Sequence, residues 1–465
     1  MQDKQQSMQD SISGMSRVER RASVSLAAIM ATRMLGLFMI LPVFALYAES
    51  LPDATPLLIG LAIGIYGLTQ ALLQIPFGMA SDKFGRRRMI TIGLLLFALG
   101  SVAAASADSL MGIIFGRALQ GAGAVAAVIM ALTADLTREQ HRTKAMAVIG
   151  MSIGGAFTLA LVIGPLLNSA IGVSGIFWFT AILALLAIVI LWTQVPEPSQ
   201  SHMHHDAQLD PGLTGSVLKD TQLLRLDAGI FILHTVLTSL FIAVPFVLRD
   251  SLGIQAGWHS WVYLPVLLLS AGAMVPFIIV AEKKRKMKEI FVSAVTVLGL
   301  SLFAMSQWYE HSIAFFIILW LFFTAFNFLE ASLPSLVSKT AHAARKGTAM
   351  GVYSSSQFLG AFVGGSVGGM LYGEFGISGV FVSSALLIVI WWLLAVTMRP
   401  PLYLANIVMP VKGLDDAQAS ELAIRLETVT GVVEAVVIIE EGEVYLKVDN
   451  QLLDRDALQV ILPSQ

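Results

Sequence analysis

The chain alternates long apolar runs with short charged joints. From Leu57 to Phe77 there is no charged residue; then "FGMASDKFGRRRM", Phe77 to Met89, brings one acid and four bases. Runs of about 20 apolar residues match the helix length needed to cross roughly 30 Å of hydrocarbon. The pattern predicts helices near 24–48, 57–80, 89–107, 110–134, 144–168, 173–194, 224–248, 258–281, 289–307, 312–338, 347–372 and 376–398. The expected fold is therefore an all-α polytopic membrane protein of twelve transmembrane helices. A polar, Pro- and Gly-bearing stretch divides them six and six. That gives an N-terminal half, 1–195, a linker, 196–221, and a C-terminal half, 222–398. "KAMAVIGMS" at 144–152 and "TAMGVYSSS" at 348–356 each open the fifth span of a half, as a duplicated unit predicts.

After Met398 the pattern changes. "LYLANIVMP" reads as a strand, 415–429 as an amphipathic helix, "VVEAVVIIE" and "EVYLKVD" as a hairpin turning at Glu440 to Gly442, and 453–458 as a second helix. This order predicts a small α+β, ferredoxin-like domain over 399–465, with "VILP" the candidate for its fourth strand. The stretch "GVVEAVVIIEEGEVYLKVD" resembles the middle of heavy-metal-associated domains. No cysteine pair accompanies it, so copper binding of the usual kind is not expected. From Arg399 onward there are eleven acids and five bases. A domain of that sign suits a site below a basic membrane face, and its own partner is expected to be a small ligand or a protein.

Charge fixes the orientation expected. Lys4, Arg17, Arg20 and Arg21, then the joint with Lys83 and Arg86 to Arg88, then Arg138, Arg142 and Lys144 lie on one side. So do Lys219 and Arg225, "EKKRKMK" at 282–288, and Lys339, Arg345 and Lys346; on the other side Arg249 stands out. Cytoplasmic joints keep the excess of Lys and Arg, so both termini are expected in the cytoplasm of a bacterium, with the bundle in its inner membrane. The first run is too long and too charged internally for a signal peptide and is kept as a span. Composition agrees: 56% of the 465 residues are hydrophobic and 13% charged, with mean hydropathy +0.77. The absence of cysteine excludes disulfides and thiolate metal sites. The "HMHH" of the linker reads as a solvated loop, and no metal, cofactor or nucleic acid is expected.

The charged joint at 77–89 carries more than a topology anchor requires. Four bases suffice for an anchor, whereas Asp82, Gly78 and Gly85 serve other ends. Gly78 permits close helix approach, Gly85 a tight turn, and Asp82 offers a carboxylate to a neighbouring helix N-terminus. "GMASDKFGRRR" resembles the signature G-x-x-x-D-[RK]-x-G-[RK]-[RK] of the major facilitator superfamily, carried here by Gly78, Asp82, Lys83, Gly85, Arg86 and Arg87. The resemblance implies a latch in which Asp82 meets the eleventh helix, while Arg86 and Arg87 join Asp135 at the end of the fourth. "GRALQGAGA" at 116–124 resembles the family's R-x-x-Q-G, with Arg117 and Gln120. "LGLFMILP" at 35–42 resembles the first-helix pattern of its twelve-helix drug/proton antiporters. Gly164 and Pro165 fit the antiporter fifth-helix motif, but Ala160, Asn168 and Ser169 replace its glycines.

The resemblance covers residues 24–398 and implies a transporter, not an enzyme. The chain has no G-x-x-x-x-G-K-[ST] loop, so an ion gradient is the expected energy source. Intramembrane ionisable residues are costly and mark candidate pathways. Here they are Arg33, Arg117, His234 and Glu330, the last with Asn327 one turn before it and taken as the carboxylate well inside a helix of the second half. The plainer readings are an interhelical hydrogen bond for Arg117, a satisfied structural donor for His234, and for Glu330 a polar pair with Asn327 shielded at the cytoplasmic end. The expected function is proton-coupled efflux of small hydrophobic or amphipathic compounds by alternating access. A metabolite or sugar transporter of the same superfamily and a sensor signalling through its tail are the alternatives. The partners expected are a small-molecule substrate, protons and the lipid bilayer.

Overall fold

The computed structural model describes residues 14–197, 215–342, 345–400, 405–411, 415–439, 442–449 and 452–461. Ten helical stretches in it are long and apolar enough to span a membrane. These are α1 Arg17–Ala48, α2 Pro56–Phe84, α3 Arg86–Ala105, α4 Leu110–Asp135, Lys144–Gln194, α7 Thr221–Ser251, α8 Ala256–Lys283, α9 Met287–Trp308, α10 Ser312–Thr340 and Lys346–Val396. The two longest each turn at a glycine with positive φ, Gly172 at 69° and Gly376 at 64°. Each is therefore two spans, α5 and α6 before and after Gly172, α11 and α12 before and after Gly376. The twelve expected helices are present. The "HMHH" of the linker lies outside the described residues.

Local signals start the helices. Thr55 caps α2 with Pro56 in its first turn, Ser109 caps α4, and the Asp220 carboxylate accepts from the Gln222 and Leu223 amides at the start of α7. Gly85, at φ 91°, ends α2 and begins α3 in one residue. A side chain with a β-carbon is strained in that conformation, which explains glycine at the joint.

Helix α11 packs on both halves through glycines. Gly360 and Gly364 lie on the backbone of Phe231 and Thr235 of α7, and Gly365 and Gly369 lie on α2 at Gly60. A β-carbon at any of these would strike main chain. Small residues permit such approach where lipid supplies no hydrophobic drive between helices. The Thr235 and Ser239 hydroxyls donate across the α7–α11 seam to the Gly360 and Gly364 carbonyls, at 3.1 and 2.9 Å.

The tail is α+β: β1 Ala405–Pro410, α13 Asp416–Glu427, β2 Val432–Ile438, β3 Glu443–Val448 and α14 Arg455–Ile461. The strands form an antiparallel sheet in the order β1-β3-β2. One expectation fails here. Val460 and Ile461, taken for the start of a fourth strand, close α14 instead, because the apolar positions Ala457, Leu458 and Ile461 pack on the sheet at helical spacing. The domain sits against the ends of α8 and α10. Arg285 pairs with Asp449 at 2.7 Å, His342 with Glu434 at 2.9 Å, and the Lys447 ammonium donates to the Ala341 carbonyl. This side of the membrane domain is called the tail face and the opposite side the far face.

Candidate functional site

On the tail face, Arg86 at the start of α3 draws the joint together. Its guanidinium pairs with Asp82 at the end of α2, 2.5 Å, and with Asp135 at the end of α4, 3.1 Å, and bonds the Ser81 hydroxyl. Asp135 is shielded, its side chain 3% exposed, whereas Asp82 keeps 30%. Lys83 points to solvent and Gly78 is buried. Arg87 departs from the expected cluster. It stacks on the Trp192 ring of α6 at 4.5 Å, donates to the Trp192 carbonyl and pairs with Glu197, because α6 and not α4 runs beside its side of α3. At the next joint Arg138 holds Glu19 of α1 at 2.9 Å, and that carboxylate raises the guanidinium above its ordinary range.

Asp82 does not meet α11 in this structure; among the described residues its partner is Arg86. Contacts between the halves run from the far face, at Arg249 and Glu49, to the middle of the bundle, at Ser355 and Ala71. The Ser355 hydroxyl donates to the Ala71 carbonyl, Ser260 of α8 to Val162 of α5 at 2.6 Å, and Arg249 pairs with Glu49 at 2.8 Å. With the glycine seam of α2 and α11 they close the far side. At the tail-face end Asp82 and α11 stand apart.

Between the halves, the C-terminal half assembles a polar cluster from three helices. The Gln357 amide of α11 donates to Glu330 of α10 at 3.1 Å and lies 2.9 Å from the His234 ring of α7; His234 and Glu330 are 3.9 Å apart. Glu330 keeps 35% side-chain exposure, while its carboxylate Oε2 is buried and has no hydrogen-bond partner among the described residues. Asn327 does not pair with Glu330 and donates to Ser270 of α8. A chain of rings closes the space beside it. Phe38 of α1 meets Phe157 of α5 edge-on at 5.1 Å, Phe157 stacks on Phe326 of α10 at 6.2 Å, and Phe326 lies 6.3 Å from His234.

The N-terminal half buries its two cations. Arg33 donates to the Tyr66 hydroxyl at 2.6 Å, to Gln70 and to the Gly123 carbonyl, and Nε and Nη1 have no partner among the described residues. Arg117, 1% exposed, donates to the Ala62 and Ile63 carbonyls of α2 and to Gln120, whose amide reaches Ser101. Arg117 thus ties α4 to α2, which is its plainer geometry. Gly164 lies on the Met39 carbonyl of α1, where a β-carbon would collide, and Pro165 follows within α5.

Sequence reasoning missed Gln357, which joins His234 to Glu330. It also missed Asp227 of α7, a second buried carboxylate in this half, both of whose oxygens lack partners among the described residues.

Residues 26–306 and 229–408 each match the profile described as Major Facilitator Superfamily. The chain belongs to the major facilitator superfamily. It is 45% identical over 441 residues, 94% of its length and 96% of the relative's, to the inner membrane transport protein YajR of Escherichia coli (strain K12). It is 26% identical to the bacillibactin exporter of Bacillus subtilis (strain 168), over 73% of its length and 87% of the relative's. A bacterial homologue of the human lysosomal transporter Spinster, solved inward-facing and occupied, shares the fold with TM-score 0.68 and 14% identity, over 83% of this chain and 98% of that one. The protein is a multi-pass membrane transporter.

Proposed function

We propose that this transporter exports small hydrophobic or amphipathic compounds from a bacterial cytoplasm across the inner membrane in exchange for protons, with the tail face cytoplasmic. The observation that carries the reading is the His234–Gln357–Glu330 cluster. Glu330, beside the His234 ring, is a carboxylate within the bundle whose Oε1 accepts from Gln357 and whose buried Oε2 has no hydrogen-bond partner among the described residues. A group so placed exchanges protons with whichever side the bundle opens to, and costly intramembrane charge is retained where it serves a pathway. The orientation follows from the Lys and Arg excess at the tail-face joints. Export is favoured by the antiporter-like Gly164-Pro165 site and by a relative named as an exporter. In this reading Asp82 latches the tail face in the opposite state, Gly85 supplies its turn, and Arg86 with Asp135 holds it in place.

The test uses proteoliposomes with an imposed proton gradient and a panel of ethidium, other dyes, drugs and sugars. The expected outcome is gradient-driven movement of at least one amphipathic compound with matching proton flux, lost in Glu330→Gln. Movement of sugars alone, or substrate movement without proton flux, overturns the reading.

A further inference from the structure

We propose that Arg249, Glu49 and His259 form a far-face clasp between the two halves, released when His259 takes up a proton from the far side. The motif on the tail face has no sequence counterpart here, and the closure rests on different chemistry. Helix α7 ends in a π-helical turn, Val247–Ser251, which carries Arg249 and Asp250 side by side. Such turns are uncommon and occur often at functional positions. Arg249 is held on three sides. It lies over the Phe246 ring at 5.2 Å, Phe246 in turn stacks on Tyr372 of α11 at 4.9 Å, and its Nε–Nη2 edge donates to both Asp250 oxygens. One nitrogen remains, and it crosses to Glu49 at the end of α1, at 2.8 Å. Residues 200 apart in sequence, one from each half, are joined by a side chain oriented before the partner arrives. An ordinary surface pair spends much of its Coulomb gain on ordering two long side chains. Here most of that ordering is already done.

His259 lies directly behind the clasp. It opens the α-helical part of α8, is 0% exposed, and is tied to the π-turn through Ile254, whose amide donates to the Leu248 carbonyl next to Arg249 at 2.7 Å. Its Nε2 is 3.0 Å from the Ile254 carbonyl. A carbonyl only accepts, so Nε2 carries the hydrogen and the neutral ring leaves Nδ1 as a bare acceptor. Among the described residues Nδ1 has no partner. A second proton would therefore give a buried cation with an N–H that has no acceptor, and buried charge of that kind is strongly disfavoured. The other charged and titratable groups of this mouth are Glu49 of α1, Asp250 of the π-turn, Tyr263 of α8 and Tyr372 of α11. Glu49 and Asp250 are engaged by Arg249, and Tyr263 and Tyr372 are neutral phenols at physiological pH. The sign follows. The closed clasp holds His259 neutral and is most populated at high pH; as pH falls through the histidine range the open clasp, where water reaches the ring, gains. Acid on the far side would thus open the bundle toward the side from which protons are to be loaded.

The clasp rests on the transport reading only through alternating access, and its test contains no substrate. Spin labels on Ser50→Cys and Gln255→Cys, exposed positions on opposite halves of a cysteine-free chain, report the far-face distance in the full-length protein in lipid discs. Between about pH 8 and about pH 5.5, a range that brackets histidine titration, the long-distance population should grow several-fold. Glu49→Gln should raise it about threefold or more at both pH values, the order expected for losing one exposed but preordered ion pair. His259→Gln keeps a donor for the Ile254 carbonyl and should keep the high-pH distribution while abolishing the pH response. An unchanged distribution in Glu49→Gln overturns the clasp, and a full pH response in His259→Gln overturns its proton linkage. Failure of proton-driven export with these distances behaving as stated would fall on the exporter reading alone.

Discussion

The joint after α2 and the joint after α8 occupy equivalent places in the two six-helix units, yet they dispose of their charge differently. In the N-terminal half Arg86 closes the joint on itself by bridging Asp82 and Asp135. In the C-terminal half the acid at the end of α8, Glu282, meets Lys339 at the end of α10 at 2.8 Å, and Arg285 turns outward to Asp449 of the tail. One joint is a self-contained cluster whose outer carboxylate, Asp82, keeps 30% exposure. The other is an anchorage for a separate domain. Since the tail contacts named above, to Arg285, Ala341 and His342, all belong to the C-terminal half, the tail is expected to move with that half.

The largest effect should come from removing the hub of the first joint. Arg86→Ala leaves Asp135, nearly fully shielded, beside Asp82 with no cation between them. Breaking a buried pair by deleting one partner costs about 3–5 kcal/mol, because the remaining charge is uncompensated. The expected outcome is a large drop in thermal stability in detergent. Lys339→Ala, its counterpart in the second joint, breaks a pair that water already reaches, 26% and 41% exposed, and should cost about 1 kcal/mol or less. Equal losses in the two variants would show that the joints are not differently built.

Next is Asp82→Asn. In this structure Asp82 pairs with Arg86 and is off α11; asparagine keeps an acceptor for Arg86, which retains Asp135, so in the proposed latch the substitution weakens the tail-closed state more than this one. A hydrogen bond to a charged group contributes about 1.5–3 kcal/mol, and each 1.4 kcal/mol is a factor of ten. The variant should fold and reach the membrane normally, populate the tail-open state about tenfold more, and transport poorly. Cross-linking between cysteines placed at the tail-face ends of α2 and α11 measures this; parental efficiency in the variant sinks the latch.

The two joints were not equally legible in the sequence. Asp82, Gly85, Arg86 and Asp135 could be read because a short motif states them and because each sits at a helix end that hydropathy locates. The partners of Arg87 could not, since Trp192 on α6 and Glu197 just past its end lie more than 100 residues away and only the rotation of α3 decides between α4 and α6. The twelve spans and the first three strands of the tail follow from period and length. Gln357 did not, because an amide on a helix is unremarkable until α7, α10 and α11 are rotated together. Asp227 was hidden by a boundary. A helix starting near 224 puts it at the membrane edge, whereas the Asp220 cap and a start at Thr221 carry it almost two turns inside.

A smaller effect is expected at the second joint's anchorage. Arg285→Ala removes a pair whose arginine is 35% exposed and should weaken tail docking by about 1 kcal/mol, leaving His342–Glu434 and Lys447 in place. Truncation after Arg399 removes the whole anchorage, and the bundle, with its own glycine seams and caps, should still insert and fold. Transport rate is expected to change and monodispersity in detergent to remain. Aggregation of the truncated chain would show that the second joint needs the tail for folding.

The smallest effect is the one that separates a latch from an anchor. Arg88 lies in the same basic run as Arg86 and Arg87, is exposed, and has no partner among the described residues. If positive charge at this joint served topology alone, each base would matter about equally, since orientation follows the summed Lys and Arg of the joint. If the joint is a built cluster, residues matter by what they touch. Exposed substitutions away from such features usually stay within about 0.5 kcal/mol. Arg88→Ala should therefore keep parental stability, parental cross-linking between α2 and α11, and transport within about twofold of parental, beside an Arg86→Ala that fails on stability and an Asp82→Asn that fails on transport. A loss in Arg88→Ala as large as in Asp82→Asn would return the joint to a plain anchor. It would also remove the contrast with the α8 joint, where Arg285 reaches outward to the tail.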